Sequence, residues 1–294
     1  MTRFALFAVL ALATSATIAA DAPKRATPQA VVEAVQMPAW IYHGNARAPL
    51  AAGTELHADD KIVTGANARL LVKLAEGSSV KLGENAQLRI ADVRTRGDNV
   101  FVAAMNVLAG AFRFTTDALA KARARDVSIT VATVTAGIRG TDFWGKASSD
   151  RDIVCLIEGK LELQRSGDVN VAMDQPLTFY VAPRGQPPQA VQPVDPNQLK
   201  TWAAEVDIEA GRGVARRGGK WQVVLASSES QREALRVYEA VREAGYAAQI
   251  APVKVQDKRI YDVRVASLPS RAEAQALADA LAGKYGVASP RVIQ

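Results

Sequence analysis

The sequence predicts a multidomain α+β chain: an all-β module followed by a C-terminal unit of βαββαβ order. Three observations carry this. From Trp40 to about Ala182, runs of a few alternating residues recur at intervals of about ten, separated by turn residues. From Pro183 to Pro196, prolines stand at 183, 187, 188, 193 and 196, marking a stiff spacer. Beyond that, Trp221–Ser230 (WQVVLASSES) and, forty positions later, Tyr261–Ser270 (YDVRVASLPS) repeat one pattern of a strand running into a helix.

The N-terminus comes first in the chain. Arg3 precedes an apolar run from Phe4 to Leu12, small residues follow through Ala19 and Ala20, and charge resumes at Asp21. These are the three parts of a secretory signal, and the apolar core is about half of the ~20 residues that a spanning helix needs. Residues 1–20 are therefore expected to be cleaved near 19–20, placing a bacterial protein in the periplasm with no stable membrane span. Residues 21–38, rich in Ala, Pro and Val, read as a tether.

The β module is expected over 39–182. Turns are signalled at Gly44-Asn45, Asp59-Asp60, Gly65 to Asn67, Glu76-Gly77, Gly83 to Asn85, Arg96 to Asp98, Ala109-Gly110 and Glu158-Gly159, with a glycine-bearing corner from Thr135 to Phe143. Between them run strands such as Arg69–Leu74, Gln87–Ile90 and Phe112–Phe114, which fits a sandwich, barrel or β-roll. The polar, Ala-rich piece Thr116–Arg125 reads as a loop or helical turn. Cys155 lies in the apolar run Ile153–Ile157 and reads as a buried structural thiol.

After the proline-rich linker, 183–194, Asp195 can cap a helix with Pro196 at its first position. Leu199, Trp202, Ala203 and Val206 then form one apolar stripe, so 195–210 reads as a docking helix. Residues 211–219 hold Gly211, Gly213, Gly218 and Gly219 with Arg212, Arg216 and Arg217, the signature of a basic, flexible linker.

The last unit, 220–294, is a strand-helix-strand pair in tandem. Trp221, Val223 and Leu225 are expected on one face, with Gln222, Val224 and Ala226 on the other. Tyr261, Val263 and Val265 oppose Asp262, Arg264 and Ala266 in the same way. Ser230 with Glu233 and Ser270 with Glu273 have capping-box spacing. Second strands follow around Ala247–Val253 and Val287–Ile293, with Pro290 suited to an edge. The two helices then share one face, leaving the other open.

Composition narrows the function. The chain has 294 residues, 49% of them hydrophobic, enough for a core in each of about two domains. Its formal charge of +6 is scattered apart from the 212–220 cluster, which reads as a solvated linker. The two histidines, His43 and His57, stand in different turns with no metal-pair spacing, and no nucleophile elbow, phosphate loop or dinucleotide fingerprint occurs. No enzymatic activity and no cofactor are expected. Nucleic acid binding would need aromatic side chains on the open face, whereas Trp221 and Tyr261 fall in the buried register.

Two resemblances sharpen this. Leu50–Gly65 (LAAGTELHADDKIVTG), Glu76–Leu82 (EGSSVKL), Ile138–Phe143 (IRGTDF) and Ile157–Leu163 (IEGKLEL) resemble a FecR domain over about Val35 to Leu163. That implies a β-rich periplasmic module. The namesake's signalling to a sigma factor runs through a membrane span and a cytoplasmic segment, neither of which this sequence shows.

The C-terminal unit is similar throughout to a SPOR domain, through aromatic-x-Val-x-Leu-Ala-Ser, Tyr-x-Val-Arg-Val-Ala-Ser-Leu and Ser-x-x-Glu-Ala at both helix starts. This resemblance implies binding of peptidoglycan glycan strands lacking stem peptides by the open sheet face, through Gln222, Val224, Ser227, Arg264 and Ser267. Val224 departs from the glutamine that many members carry in the first strand. The expectation is thus an exported, non-catalytic envelope protein that binds peptidoglycan glycan strands, with a FecR-like module for contacts with envelope proteins. A FecR-type sensing protein with weak or no glycan binding is the alternative.

Overall fold

The computed structural model describes residues 28–97, 100–116 and 124–294. The segment expected to be a signal and most of the Thr116–Arg125 piece lie outside the described residues.

The β module opens with β1 (Ala30–Gln36), β2 (Ala39–His43), β3 (Ala46–Pro49), β4 (Lys61–Thr64), β5 (Arg69–Leu74), β6 (Ser79–Leu82) and β7 (Gln87–Arg96). It continues through β8 (Val100–Thr115), β9 (Arg125–Val131), β10 (Val134–Ala147), β11 (Arg151–Arg165), β12 (Val171–Met173), β13 (Thr178–Pro183) and the short β14 (Gln192–Pro193). Helix α1 (Pro196–Ala204) and strand β15 (Val214–Arg216) lead to the C-terminal domain. That domain comprises β16 (Trp221–Ser228), α2 (Gln231–Glu243), β17 (Ala248–Val255), β18 (Lys258–Leu268), α3 (Arg271–Leu281) and β19 (Arg291–Ile293).

Two expected turns are bends inside long strands. In β8, Gly110 adopts φ +82° and lies so close to Ala86 that an added Cβ would stand 2.5 Å from its Cα. Before this point β8 pairs with β7, and after it with β6 and β10, so the sheet forks and coils around one core. Glu158-Gly159 likewise makes a bulge within β11, not a hairpin. Gly159 (φ +90°) packs on Gly140 (φ +64°) of β10, where the register of the two strands shifts. A glycine facing another glycine lets two strands bend together without parting. Phe112, Phe114 and Phe143 fill the core beside the bend, with the rings of Phe112 and Phe143 edge to face at 5.4 Å.

The ends of the module depart from expectation. Ala30–Gln36, expected within a tether, is a sheet strand between β5 and β15, with Ala30, Val32, Ala34 and Val35 fully buried. Val214–Arg216, expected within a flexible linker, is the edge strand beside it. Both segments are short, and their pairing partners lie far off in the sequence: β1 pairs with β5 along its length and with β15 at Ala34 to Gln36.

The docking helix docks on its own chain. Asp195 caps α1 by accepting from the amides of Asn197 and Gln198. Trp202 stacks on Trp144 of β10 at 4.6 Å and 3°, with the Phe179 ring edge-on at 5.6 Å. Cys155 lies fully buried in this same cluster. Burial pushes its thiol up to about 12, with the charge of Asp142 adding to the effect.

In the C-terminal domain the strand order is β17-β18-β16-β19, all pairs antiparallel, with α2 and α3 packed against the sheet. Val223, Val263 and Val265 lie beneath the helices with Ala234, Val241, Ala274, Leu277, Ala278 and Leu281.

Candidate functional site

The face of the C-terminal sheet turned away from α2 and α3 is built by register. Val224 of β16 stands opposite Arg264 of β18 and Arg291 of β19, and Arg264 stands opposite Gln249 of β17. Residues opposed across a strand pair share a face, so Arg291, Val224, Arg264 and Gln249 form one row across all four strands. In the next row Ser227 opposes Asp262, which opposes Ala251.

A bulge separates these rows. The register shifts between Val224 and Ala226, leaving Leu225 as the extra residue. Ala226 is thereby paired with Val263 on the helix-covered side, and Ser227 is brought to the open side. Strict alternation, which put Leu225 inward and Ala226 outward, misses this by one residue.

The floor of the face is apolar and its rim polar. Val224 is 2% exposed. Gln222, opposite Ile293, is half-buried, and its carboxamide oxygen is shielded from solvent without a hydrogen-bond partner. The Nε of Arg264 is in the same condition. Asp262, 5% exposed, accepts from the Ser227 hydroxyl at 2.6 Å and from Arg291 at 3.3 Å. Arg291 also reaches the Ser227 oxygen at 3.4 Å, while its side chain stays 58% exposed. A groove of about 350 Å³ runs along this edge, lined by Val224, Ser227, Ser289 and Arg291 among others.

Of the five residues expected to bind, Val224 and Arg264 are therefore neighbours at the centre, with Gln222 adjoining. Ser227 lies at one end. Ser267 stands at the opposite end of β18, half-buried, in a left-handed conformation (φ +68°) where the β16–β18 register shifts again. Gly219 packs on its carbonyl so closely that a Cβ would be 2.4 Å away. Between the rows of Asp262 and Ser267 the strand advances five residues, roughly 17 Å at ~3.4 Å each. Arg291 was missed because its place in the row is set by Val224 and Arg264 on other strands, which its own short strand does not reveal. Trp221 and Tyr261 are half-buried and pack against the core.

Both helix starts carry the expected caps in part. Ser230 accepts from the Glu233 amide and Ser270 from the Glu273 amide. The two glutamates turn elsewhere. Glu233 accepts from the Ser228 hydroxyl at 2.7 Å. Glu273, 7% exposed, takes the backbone amides of Gly211, Gly213 and Val214 at 2.7, 2.8 and 2.9 Å. A carboxylate accepting three amides outcompetes the single amide a capping box offers. The strap of chain between α1 and β15 is thus fastened to α3 at its end, where β15 begins and pairs with β1.

A second contact joins the domains at the end of α2. The Gly245 carbonyl accepts from the Ala39 amide at 3.1 Å, the Trp40 indole reaches the Glu243 carbonyl at 3.3 Å, and Arg47 pairs with the Glu243 side chain. In the β module, Asp60, 1% exposed, accepts from the ring of His43 and the backbone of His57, a juxtaposition that sequence spacing hides. Among the described residues no cluster of three or more His, Cys, Asp or Glu side chains could hold a metal ion. No helix among them is long and apolar enough to cross a membrane.

Comparison with known proteins agrees with this division. Residues 60–162 match the family model of the FecR protein, and residues 218–293 match that of the SPOR domain. Two crystal structures of a candidate anti-sigma factor from Parabacteroides distasonis are similar to the chain, each at 15% identity and a TM-score of 0.39. Each alignment covers 75% of this chain and 89% of that one. Among curated proteins, none matches.

Proposed function

From a chain that carries a FecR module followed by a SPOR domain, we propose an exported cell-envelope protein that binds peptidoglycan glycan strands through the SPOR sheet and makes regulatory protein contacts through the FecR module. Both are non-catalytic domain families of the cell envelope, and the proposal assigns no chemistry to the chain.

The observation that carries the glycan reading is the open face itself. Its polar groups spread along roughly 17 Å of strand at ~3.4 Å per residue, which suits an extended polymer better than a compact metabolite. Val224, almost wholly covered, backs the face from beneath, while Arg264, Gln222, Ser227, Ser267 and Arg291 present donors and acceptors for hydroxyl and acetamide groups.

The test is co-sedimentation of the mature chain with purified peptidoglycan before and after amidase digestion. Pelleting that increases once stem peptides are removed is expected, and Arg264→Ala should lower it about ten-fold with little change in melting temperature, a loss of about 1.4 kcal/mol. Absence of co-sedimentation with either preparation would sink the reading.

One observation favours the alternative of FecR-type sensing with weak glycan binding. Ser227, Asp262 and Arg291 satisfy one another, and Val224 brings no amide. A transcriptional response that survives deletion of the SPOR domain would support it.

A further inference from the structure

The cations near the start of the SPOR domain do not stand in a free linker. The turn that joins β15 to β16, residues 216–220, is fastened at three points. The Gly219 amide donates to the Arg216 carbonyl at 3.0 Å, and the Arg217 amide to the Glu33 carbonyl at 2.9 Å. Gly219 in turn packs on the backbone of Ser267, at one end of the open SPOR face. Arg216, Arg217 and Lys220 are thereby fixed beside that end of the face and beside the FecR module at once.

These cations differ in availability. Arg217 faces the Glu33 carboxylate at 3.4 Å. Among the described residues the side chains of Arg216 and Lys220 make no ion pair, and neither does that of Arg264 at the centre of the face. Asp262, on the same face, is already engaged by Ser227 and Arg291. Lys220 is exposed and stands two residues before Gln222, so strand alternation puts it on the open side. The face thus carries cations without ion-pair partners at its centre and again at its Ser267 end. From Arg264 to Ser267 the strand advances three residues, roughly 10 Å at ~3.4 Å each.

Such a face fits a polymer with anions at a regular spacing. In peptidoglycan the stem peptide is joined by an amide to the lactyl carboxyl of alternate sugars. Amidase hydrolysis adds water across that amide, frees the amine of the stem and leaves a carboxylate on the sugar. The carboxylates of a stripped strand then recur once per disaccharide, the same scale as the separation of Arg264 from the Ser267 end.

We propose that Lys220 and Arg216 form a further subsite of the glycan face, which takes the free lactyl carboxylate one disaccharide beyond the carboxylate at Arg264. The FecR module, through β1 and Glu33, holds that subsite in place. The proposal rests on the glycan reading and deepens it: charge, besides the room left by the absent stem, selects stripped strands.

The experiment is co-sedimentation of the full mature chain with amidase-treated peptidoglycan, its lactyl carboxylates either free or converted to methylamides with carbodiimide and methylamine. The free strands should bind about ten-fold more tightly, and about 1 M salt should remove the difference. Lys220→Gln, at an exposed position, should keep the parent's melting temperature and its affinity for methylamide strands while binding free strands about three-fold more weakly. Lys220→Glu should weaken binding of free strands further. Equal binding of free and methylamide strands by the parent overturns the subsite and leaves the glycan reading standing. A Lys220→Gln variant with the parent's preference overturns the subsite as well, and no pelleting with either preparation overturns both.

Discussion

The ring of Trp40 occupies the space that any side chain at Gly245 would need: a Cβ built there stands 2.6 Å from the indole. Gly245 also has φ +90°, so glycine is required twice over, by contact and by backbone. The two residues belong to different domains and come together through the Ala39 to Gly245 hydrogen bond.

Gly245→Ala should therefore cost about 1–3 kcal/mol, the range for backbone strain at such a position. It should also loosen the domains from one another. Chemical denaturation measures the first effect and small-angle scattering the second. An unchanged midpoint would show that Trp40 moves aside freely.

Glu273→Gln keeps the shape of the carboxylate but removes the charge that three strap amides share. Hydrogen bonds to a charged group contribute about 1.5–3 kcal/mol, and a loss of that order is expected. Hydrogen exchange at Gly213 and Val214 should accelerate while exchange in the middle of β18 stays as it was. Uniform acceleration would mean that Glu273 serves global stability alone.

Asp262→Asn should leave the domain folded, at a cost of about 1 kcal/mol, while releasing Arg291 and Ser227 from their fixed places. Co-sedimentation with amidase-treated peptidoglycan should fall. Binding equal to the parent would remove the Arg291 edge from the site.

Burial holds the Cys155 thiol at about 12, above its ordinary 9.0. A folded-state value raised in this way contributes stability that is full below pH ~9 and is lost as pH rises toward 12. Cys155→Ala should then show a shallower decline of stability than the parent across that alkaline range, measured by denaturant midpoints from pH 8 upward. Parallel declines would show that the thiol is reached by water.

The periodic parts of the chain were readable in advance. Trp221 and Tyr261 announce their strands because apolar residues alternate there, and the strand order follows once two strand-helix-strand units stand in tandem. The bulges at Leu225 and Ser267 were hidden, since an extra residue in a strand leaves no mark in composition. Glycines 110 and 159 looked like turns because a bulge and a turn ask for the same backbone freedom. The strands Ala30–Gln36 and Val214–Arg216 could not be read at all: β1 pairs with β5 some forty residues on, and β15 with β1 some 180 residues back, and neither partner is visible locally. Glu273 was assigned to its own helix because only local partners are visible in sequence. Arg291 was passed over for the same reason, its row being defined by Val224 and Arg264 on other strands.

The pairing of β1 with β15 also decides where this chain can be cut. Severing it between residues 210 and 218 to isolate either domain strips β1 of β15 and leaves unpaired amides and carbonyls from Glu33 to Gln36, along buried Ala34 and Val35. Such an uncovered edge recruits a strand from another molecule. The FecR module released by proteolysis would then self-associate, so that loss of the SPOR half and aggregation of the other half arrive as a single event.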